Sequence, residues 1–193
     1  SRGLGDVYKR QVLFDTRLHQ TRQDGGGRGW SVMPLLEEDL FLVQRAGAPR
    51  LPTEIAIADL AGVPLILPTG PHGLRSTLDT AFAGAGISPR VVLEVDSLAM
   101  VMAAVDAGLG ATLQPWAALG RYPDAAQRFQ CARITGAPAR RVNLLCSLSD
   151  DELSPAALAA RVVLKDCVRT LLGEGRWSGA TALAALPDTH HIP

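Results

Sequence analysis

One stretch decides the fold: residues 64–115, which read PLILPTGPHGLRSTLDTAFAGAGISPRVVLEVDSLAMVMAAVDAGLGATLQP. It begins with a short apolar run that ends at Pro68, as is typical of a strand buried on both faces. A helical repeat follows, because Leu74, Leu78 and Phe82 recur on one face. Gly84 and Gly86 then supply a stop signal. The pattern predicts a strand followed by an amphipathic helix.

The second half of the stretch repeats this order. Residues 90–95 form a second apolar run, and Asp96 and Ser97 are candidate N-cap residues for a second helix. The apolar residues that share one face of this helix are Leu98, Val101, Met102, Val105 and Leu109. Residues 111–114 form a third strand. The alternation requires parallel pairing, with ligands expected beyond the carboxyl ends of the strands, at 69–73, 96–97 and 114–116.

Composition excludes several classes of protein. The chain has 193 residues, 47% of them hydrophobic, with 19 basic and 19 acidic side chains and no formal net charge. A module that grips nucleic acid usually carries a basic stripe, so this segment is not expected to contact DNA itself. We find neither the ~20 apolar residues that span a bilayer nor the apolar core of a signal peptide. We expect a cytoplasmic chain with no membrane association.

The reactive side chains do not form a recognisable catalytic or metal-binding set. Cys131, Cys146 and Cys167 are odd in number and widely spaced, which favours buried reduced thiols over disulfides or a metal site. The motifs G-x-S-x-G, H-E-x-x-H and G-x-x-x-x-G-K-[ST] do not occur. We therefore predict no enzyme activity, no catalytic residue, no metal and no cofactor.

The segment before residue 64 divides into a foreign leader and the start of the fold. Residues 1–11 resemble sequence added by cloning, so we begin the fold at Val12. The apolar residues 40–43 predict a strand, and the carboxylates Glu37, Glu38 and Asp39 precede it. Adjacent side chains diverge along an extended chain, so we interpret the three acids as a solvated turn rather than a metal or acid–base cluster.

The C-terminal third predicts two strands and a long helix. The strands lie at 129–134 and 142–148, and the helix begins at Ser154 with proline in its first turn. The predicted buried face of this helix comprises Ala156, Ala160, Val163, Leu164, Cys167, Val168 and Leu171. The predicted outer face comprises Arg161, Lys165, Asp166 and Arg169. Residues 175–193 have no period, and we interpret them as a loose tail.

Three segments resemble one family in order and spacing: PLLEEDLFLV at 34–43, ADLAGVPLILPTGPHGLRSTLDTAFAGAGI at 58–87, and VVLEVDSLAMVMAAVDAGLGATLQP at 91–115. They resemble the effector-binding domain of LysR-type transcriptional regulators, nearest to the nitrogen-assimilation and cysteine-regulon type with its P-H-G-L-R turn. The resemblance implies an α/β fold like that of type II periplasmic binding proteins, with two α/β lobes joined by crossover strands. It places the effector-binding domain at 12–174, with lobe I at 12–43 and 142–174 and lobe II at 55–136.

The resemblance also implies a function and partners. The domain would sense a small-molecule effector within a homo-oligomeric regulator, and DNA would be bound only through an N-terminal winged helix-turn-helix that this sequence does not contain. The family's linker helix and the opening strand-helix unit of its first lobe are not recognised either, so we interpret the chain as N-terminally truncated. The alternative is a solute-binding protein of a transport system on the same fold. An enzyme on this fold would need an acid–base or threonine-centred site.

The resemblance carries effector contacts to Thr69, Gly70, Pro71 and His72. The positive end of the following helix favours an anionic or carbonyl-bearing ligand there, although Thr69 would equally serve as a helix cap. Ser97 is the second candidate because it would be both an N-cap and cleft-facing, although the cap alone would account for a serine there.

Two nearby positions leave alternatives open. Arg75 would pair with an effector carboxylate or form a surface salt bridge, and the latter is favoured by its place on the outer face of the helix. Ala103 replaces a polar effector contact of some relatives, which favours a less polar ligand.

Overall fold

A computed structural model describes residues 13–14, 30–70, 73–136 and 139–183. The chain divides into two compact units. Unit 1 comprises Ser1–Glu37 and Val142–Pro193, and unit 2 comprises Glu38–Arg141. The predicted leader, residues 1–11, lies outside the described residues. Each boundary between the units falls inside a strand, so two strands connect them.

The strands are β1 Leu13–Phe14, β2 Trp30–Arg45, β3 Glu54–Ala56, β4 Pro64–Leu67, β5 Arg90–Glu94, β6 Thr112–Pro115, β7 Phe129–Thr135, β8 Arg140–Leu148 and β9 Ala180–Ala182. The helices are α1 Gly73–Gly84, α2 Leu98–Asp106, α3 Ala125–Arg128 and α4 Pro155–Gly173, with short 3-10 turns at Ile57–Leu60 and Trp116–Ala118. The connecting strands are β2 and β8.

The parallel pairing predicted for residues 64–115 is confirmed in unit 2. β4 pairs with β5 in parallel, and Leu67 lies opposite Glu94. On its other edge β4 meets the chain that leads into β6, through a parallel bridge between Leu65 and Ala111. Further along, β6 and β7 both pair with β2 in antiparallel fashion, and β3 pairs with β7 in parallel. β4 and β5 thus form a two-stranded parallel sheet, whereas β2, β3, β6 and β7 belong to a larger mixed sheet.

Both helices of the central stretch pack as amphipathic elements. The buried residues of α1 are Leu74, Leu78, Ala81 and Phe82, and those of α2 are Val101, Met102, Ala104 and Val105. Leu109, which we assigned to the buried face of α2, is instead 60% exposed. The helix ends at Asp106, and Gly108 turns the chain with a φ of +78°, so the helical period no longer holds at Leu109.

Gly110 permits the close approach of two backbone segments. A Cβ atom at this position would lie 2.7 Å from the carbonyl oxygen of Pro64. The amide of Ala111 donates to that same carbonyl at 2.8 Å, and Ile66 donates to the carbonyl of Ala111 at 2.7 Å. Only glycine fits next to this pair of hydrogen bonds, which joins β4 to the start of β6.

The interpretation of Glu37, Glu38 and Asp39 as a solvated turn is wrong. All three belong to β2, which runs for 16 residues. Glu38 is 1% exposed and accepts a hydrogen bond from Arg141. Glu38 and Asp39 are tolerated in a strand because arginines from β8 face them, and those partners lie about a hundred residues further along the chain.

The predicted buried face of α4 is also wrong. Of its nineteen residues, all within the described part of the chain, none is buried, and Val163 is 58% exposed. Val168 and Leu172 pack against the apolar cluster of unit 1. Arg161, assigned to the outer face, is instead 17% exposed and pairs with Asp150 at 2.6 Å. A helix rich in alanine and valine offers several apolar faces, so its period does not identify the one that packs.

The segment after α4 is not a loose tail throughout. Trp177 and Ala180 pack against the cluster formed by Leu35, Leu36 and Leu145, and β9 pairs with β2. Residues 184–193 lie outside the described residues. Burial by tertiary partners orders part of a segment that lacks any period of its own.

The three cysteines, which we predicted to be buried reduced thiols, are not uniformly buried. Cys146 is buried, Cys131 is partly buried and Cys167, on α4, is exposed. The exposure of Cys167 follows from the orientation of α4 described above.

Candidate functional site

The carboxyl ends of β4 and β5 bring Thr69 and Asp96 together. Each residue lies two positions beyond the paired residues Leu67 and Glu94. The Thr69 amide donates to Asp96 Oδ1 at 2.9 Å. The Thr69 hydroxyl lies 2.8 Å from Oδ1 and 2.9 Å from Oδ2. One residue thus presents two donors to a carboxylate, which is the arrangement that recognises a carboxylate in a ligand.

This contact changes the interpretation of Thr69. The alternative considered above was that its hydroxyl caps the following helix. Among the described residues, the hydroxyl bonds to Asp96, across the gap between two strand ends. The sequence places Asp96 at a strand end and as a candidate helix cap, but it does not reveal the bond to Thr69. Parallel register would have revealed it, because equal offsets from paired strand ends bring two residues side by side.

Ser97 directly follows Asp96 and is the N-cap residue of α2, as predicted. Its carbonyl accepts from the amide of Val101 at 2.9 Å, but its side chain makes no capping hydrogen bond to any described residue. Ser97 is exposed. Ser97 therefore adjoins the Thr69–Asp96 contact in sequence, and its side chain does not cap the helix through any described residue.

The turn after Thr69 is only partly described. Gly70 is exposed, and among the described residues no atom lies within 4 Å of a Cβ built on it. Pro71 and His72 lie outside the described residues, and α1 begins at Gly73. The described part of the chain therefore leaves the backbone of Gly70 accessible.

Arg75, in the first turn of α1, bonds to residues at the carboxyl ends of β4 and β5. Its guanidinium donates to the carbonyl of Pro68 at 2.9 Å and pairs with Glu94 at 2.5 Å and Asp79 at 2.8 Å. Hydrogen bonds that Arg75 donates to Glu94 and then to Asp79 raise the pKa of Arg75 above its usual value, so the side chain keeps its charge. Arg75 forms salt bridges, as its place on the helix predicted, but its side chain is only 16% exposed.

The third predicted strand end, at residues 114–116, is closed rather than open. Gln114 and Pro115 are buried. The hydroxyl of Thr112 donates to the carbonyl of Ile66 at 2.7 Å, and Gln114 Nε2 lies 3.4 Å from that hydroxyl. Trp116 packs edge-on against Phe41. Thr112 thus bonds to β4, whereas at the other two strand ends Thr69 is partly buried and Asp96 and Ser97 are exposed.

Two kinds of feature, a metal-binding cluster and a membrane-spanning helix, are absent from the described residues. In these parts of the chain, no group of three or more histidine, cysteine, aspartate or glutamate side chains is placed to hold a metal ion. None of the helices there combines the length and the apolar character that crossing a bilayer requires.

Comparison with known proteins identifies the family. The family described as the LysR substrate binding domain matches residues 21–168. The nitrogen assimilation regulatory protein nac of Escherichia coli strain K12 is 28% identical over 155 residues, which cover 77% of this chain and 48% of that protein. The chain spans about half the length of the curated relatives it matches.

Solved structures agree on the fold. The effector binding domain of QuiR, in complex with shikimate, has a TM-score of 0.60 and 22% identity, covering 73% of this chain and 66% of that one. Full-length CbnR complexed with target DNA has a TM-score of 0.59 and 23% identity, covering 83% and 50%. The α/β fold is thus of the predicted type II periplasmic-binding-protein-like class. The chain belongs to the LysR substrate binding domain family.

Proposed function

We propose that this chain is the effector-sensing domain of a LysR-type transcriptional regulator, and that its effector binds at the carboxyl ends of β4 and β5. One observation carries the site: the amide and hydroxyl of Thr69 already hold a carboxylate, that of Asp96. Family membership supports the sensing role. The solute-binding alternative gains no specific support from the structure.

The proposed contact residues are Thr69, Gly70, Pro71, His72 and Ser97. Thr69 supplies two donors, Gly70 gives access to the backbone, and Ser97 adds an exposed hydroxyl. An effector carboxylate that accepted the donors of Thr69 would take the place of Asp96. The effector is therefore a small molecule with an acidic or carbonyl group, which matches the preference expected at the start of α1.

We extend this proposal from the domain to the whole regulator. QuiR was solved with shikimate and CbnR with DNA, so we propose that an effector acts here and that DNA is bound through a separate domain. We place the regulator in the cytoplasm as a homo-oligomer without enzyme activity, with effector-binding domain boundaries at 12–174. Effector binding would shift the population of regulator conformations.

Two substitutions at the site test it in opposite directions. Thr69→Val keeps the shape of the side chain but removes its hydroxyl, and we expect it to weaken binding of an acidic effector by about 10- to 100-fold. Asp96→Asn removes the competing charge, and we expect it to tighten binding by about tenfold. The measurement is isothermal titration of the full-length regulator with shikimate and a panel of small mono- and dicarboxylates. Thr80→Val is the matched control, because Thr80 bonds only within α1.

The pattern of results separates the proposals. Opposite effects of Thr69→Val and Asp96→Asn, with no effect of Thr80→Val, would support the site. Equal affinities in all variants would exclude it. If no acid in the panel bound, the sensing role for this ligand class would be rejected.

The regulator and transport functions differ in what precedes the domain in the gene. We expect the coding sequence upstream of Val12 to encode a helix-turn-helix followed by a long amphipathic helix. A secretory signal joined directly to the first lobe would instead establish a solute-binding protein, even if Thr69 bound the same ligand.

A further inference from the structure

The two connecting strands, β2 and β8, carry matched charges next to the boundary between the units. Glu38 and Asp39 are the first residues of β2 within unit 2, and Arg140 and Arg141 are the last residues of unit 2 along β8. Arg141 Nε donates to Glu38 Oε1 at 2.8 Å, and Arg140 Nε donates to Asp39 Oδ1 at 2.8 Å. We call these four residues the strand clasp.

The two ion pairs of the strand clasp lie on opposite faces of the strand pair. Successive side chains of a strand point to opposite faces, so Glu38 and Asp39 diverge, as do their partners. The Leu40 amide bonds to the carbonyl of Ala139 at 3.1 Å, which continues the same cross-strand alignment. A slip of one residue would therefore separate both pairs at once.

The two faces differ in burial. Glu38 is 1% exposed and its partner Arg141 is largely covered. On the other face Asp39 also lies 3.7 Å from Arg133, which in turn pairs with Glu54 on β3. Removing one member of a buried ion pair leaves a charge without compensation and is strongly destabilising. Glu38–Arg141 thus resists separation of the strands, and the Asp39 side joins them to their neighbours in unit 2.

We propose that the strand clasp fixes the register of the two connecting strands. Sliding of β2 along β8, or separation of the two strands at this point, is then opposed by both ion pairs. This proposal goes beyond effector sensing and stands without a known ligand.

The test is hydrogen exchange of the full chain, followed by mass spectrometry. Exchange of protected amides reports the free energy of local opening. We expect Glu38→Gln to speed exchange by about 100-fold in residues 38–41 and 139–142, with α1 and α2 within about threefold of the wild type. The control is Asp166→Asn, which breaks the exposed Asp166–Arg169 pair of α4 and should leave those strands unchanged.

A double-mutant cycle with Arg141→Gln completes the test. We express the exchange rate of each variant relative to that of the wild type. The relative rate of the double variant should be at least tenfold below the product of the relative rates of the two single variants. Independent effects, unchanged strand exchange, or an equal increase throughout unit 2 would overturn the proposal. If Glu38→Gln does not fold, Asp39→Asn decides: a rise confined to the same segments supports the proposal, and its absence overturns it.

Discussion

Helices α1 and α4 have similar apolar repeats but different surroundings. α1 has 12 residues and buries four side chains, whereas α4 has 19 residues and buries none. Leu74, Leu78 and Phe82 pack into the largest apolar cluster of unit 2. In α4, Val162, Val163 and Leu164 are exposed. Periodicity predicts that a helix forms, but burial depends on what the rest of the chain places against it.

The largest predicted difference between α1 and α4 is in the effect of truncating an apolar side chain to alanine. Phe82→Ala on α1 should lower the free energy of unfolding by about 3–5 kcal/mol, because it removes a fully packed ring and leaves a cavity. Val163→Ala on α4 should change it by less than about 0.5 kcal/mol, since the side chain is already in solvent. Denaturant unfolding of the two variants, side by side, measures both. Equal losses would show that the face of α4 is covered in solution.

Thiol reactivity gives the next difference. Burial of Cys131 in unit 2 raises the pKa of its thiol to about 11, from 9.0. At any pH below both values, that shift lowers the thiolate fraction by about 100-fold, and the thiolate is the reactive form. Exposed Cys167 on α4 should therefore be alkylated by iodoacetamide first, with Cys131 at least about 100-fold slower. Cys167→Ser should abolish the fast phase, and a fast phase that persisted would contradict the assignment.

Helix capping gives the smallest difference. The Ser154 side chain accepts from the amide of Ala157 at 3.3 Å at the start of α4. Ser154→Ala should therefore lower the free energy of unfolding of unit 1 by about 1 kcal/mol. Ser97→Ala at the start of α2 should have little effect, because Ser97 makes no such bond to a described residue. Thermal unfolding compares the two, and a loss at Ser97 as large as that at Ser154 would show a cap that the structure lacks.

Local signals made much of the fold predictable. The apolar repeat of α1 and the short runs that became β4 and β5 are patterns within about ten residues. Their alternation requires parallel pairing, which places the strand ends together. The general position of the candidate site, beyond those ends, follows from the same argument.

What the sequence did not reveal depends on distant partners. Glu38 reads as a solvated acid until Arg141 is placed against it, 103 residues away. The face of α4 that packs against the rest of unit 1 depends on Leu35 and Leu145, which lie on strands β2 and β8. Asp96 becomes a partner of Thr69 only when the β4–β5 register is known. Each of these three contacts joins residues that no local pattern brings together.

The most direct test of the proposed site is a two-dimensional ¹H–¹⁵N NMR titration of the chain with small mono- and dicarboxylates, inorganic phosphate and sulfate. The Thr69 amide bonds directly to Asp96 Oδ1, so a ligand that takes the place of that carboxylate must perturb it. We predict that the largest saturable shifts fall on the amides of Thr69, Gly70, Asp96 and Ser97. Saturable shifts confined to other elements, such as α4 or β7, or no saturable shift with any probe, would contradict an acid-binding site at the ends of β4 and β5.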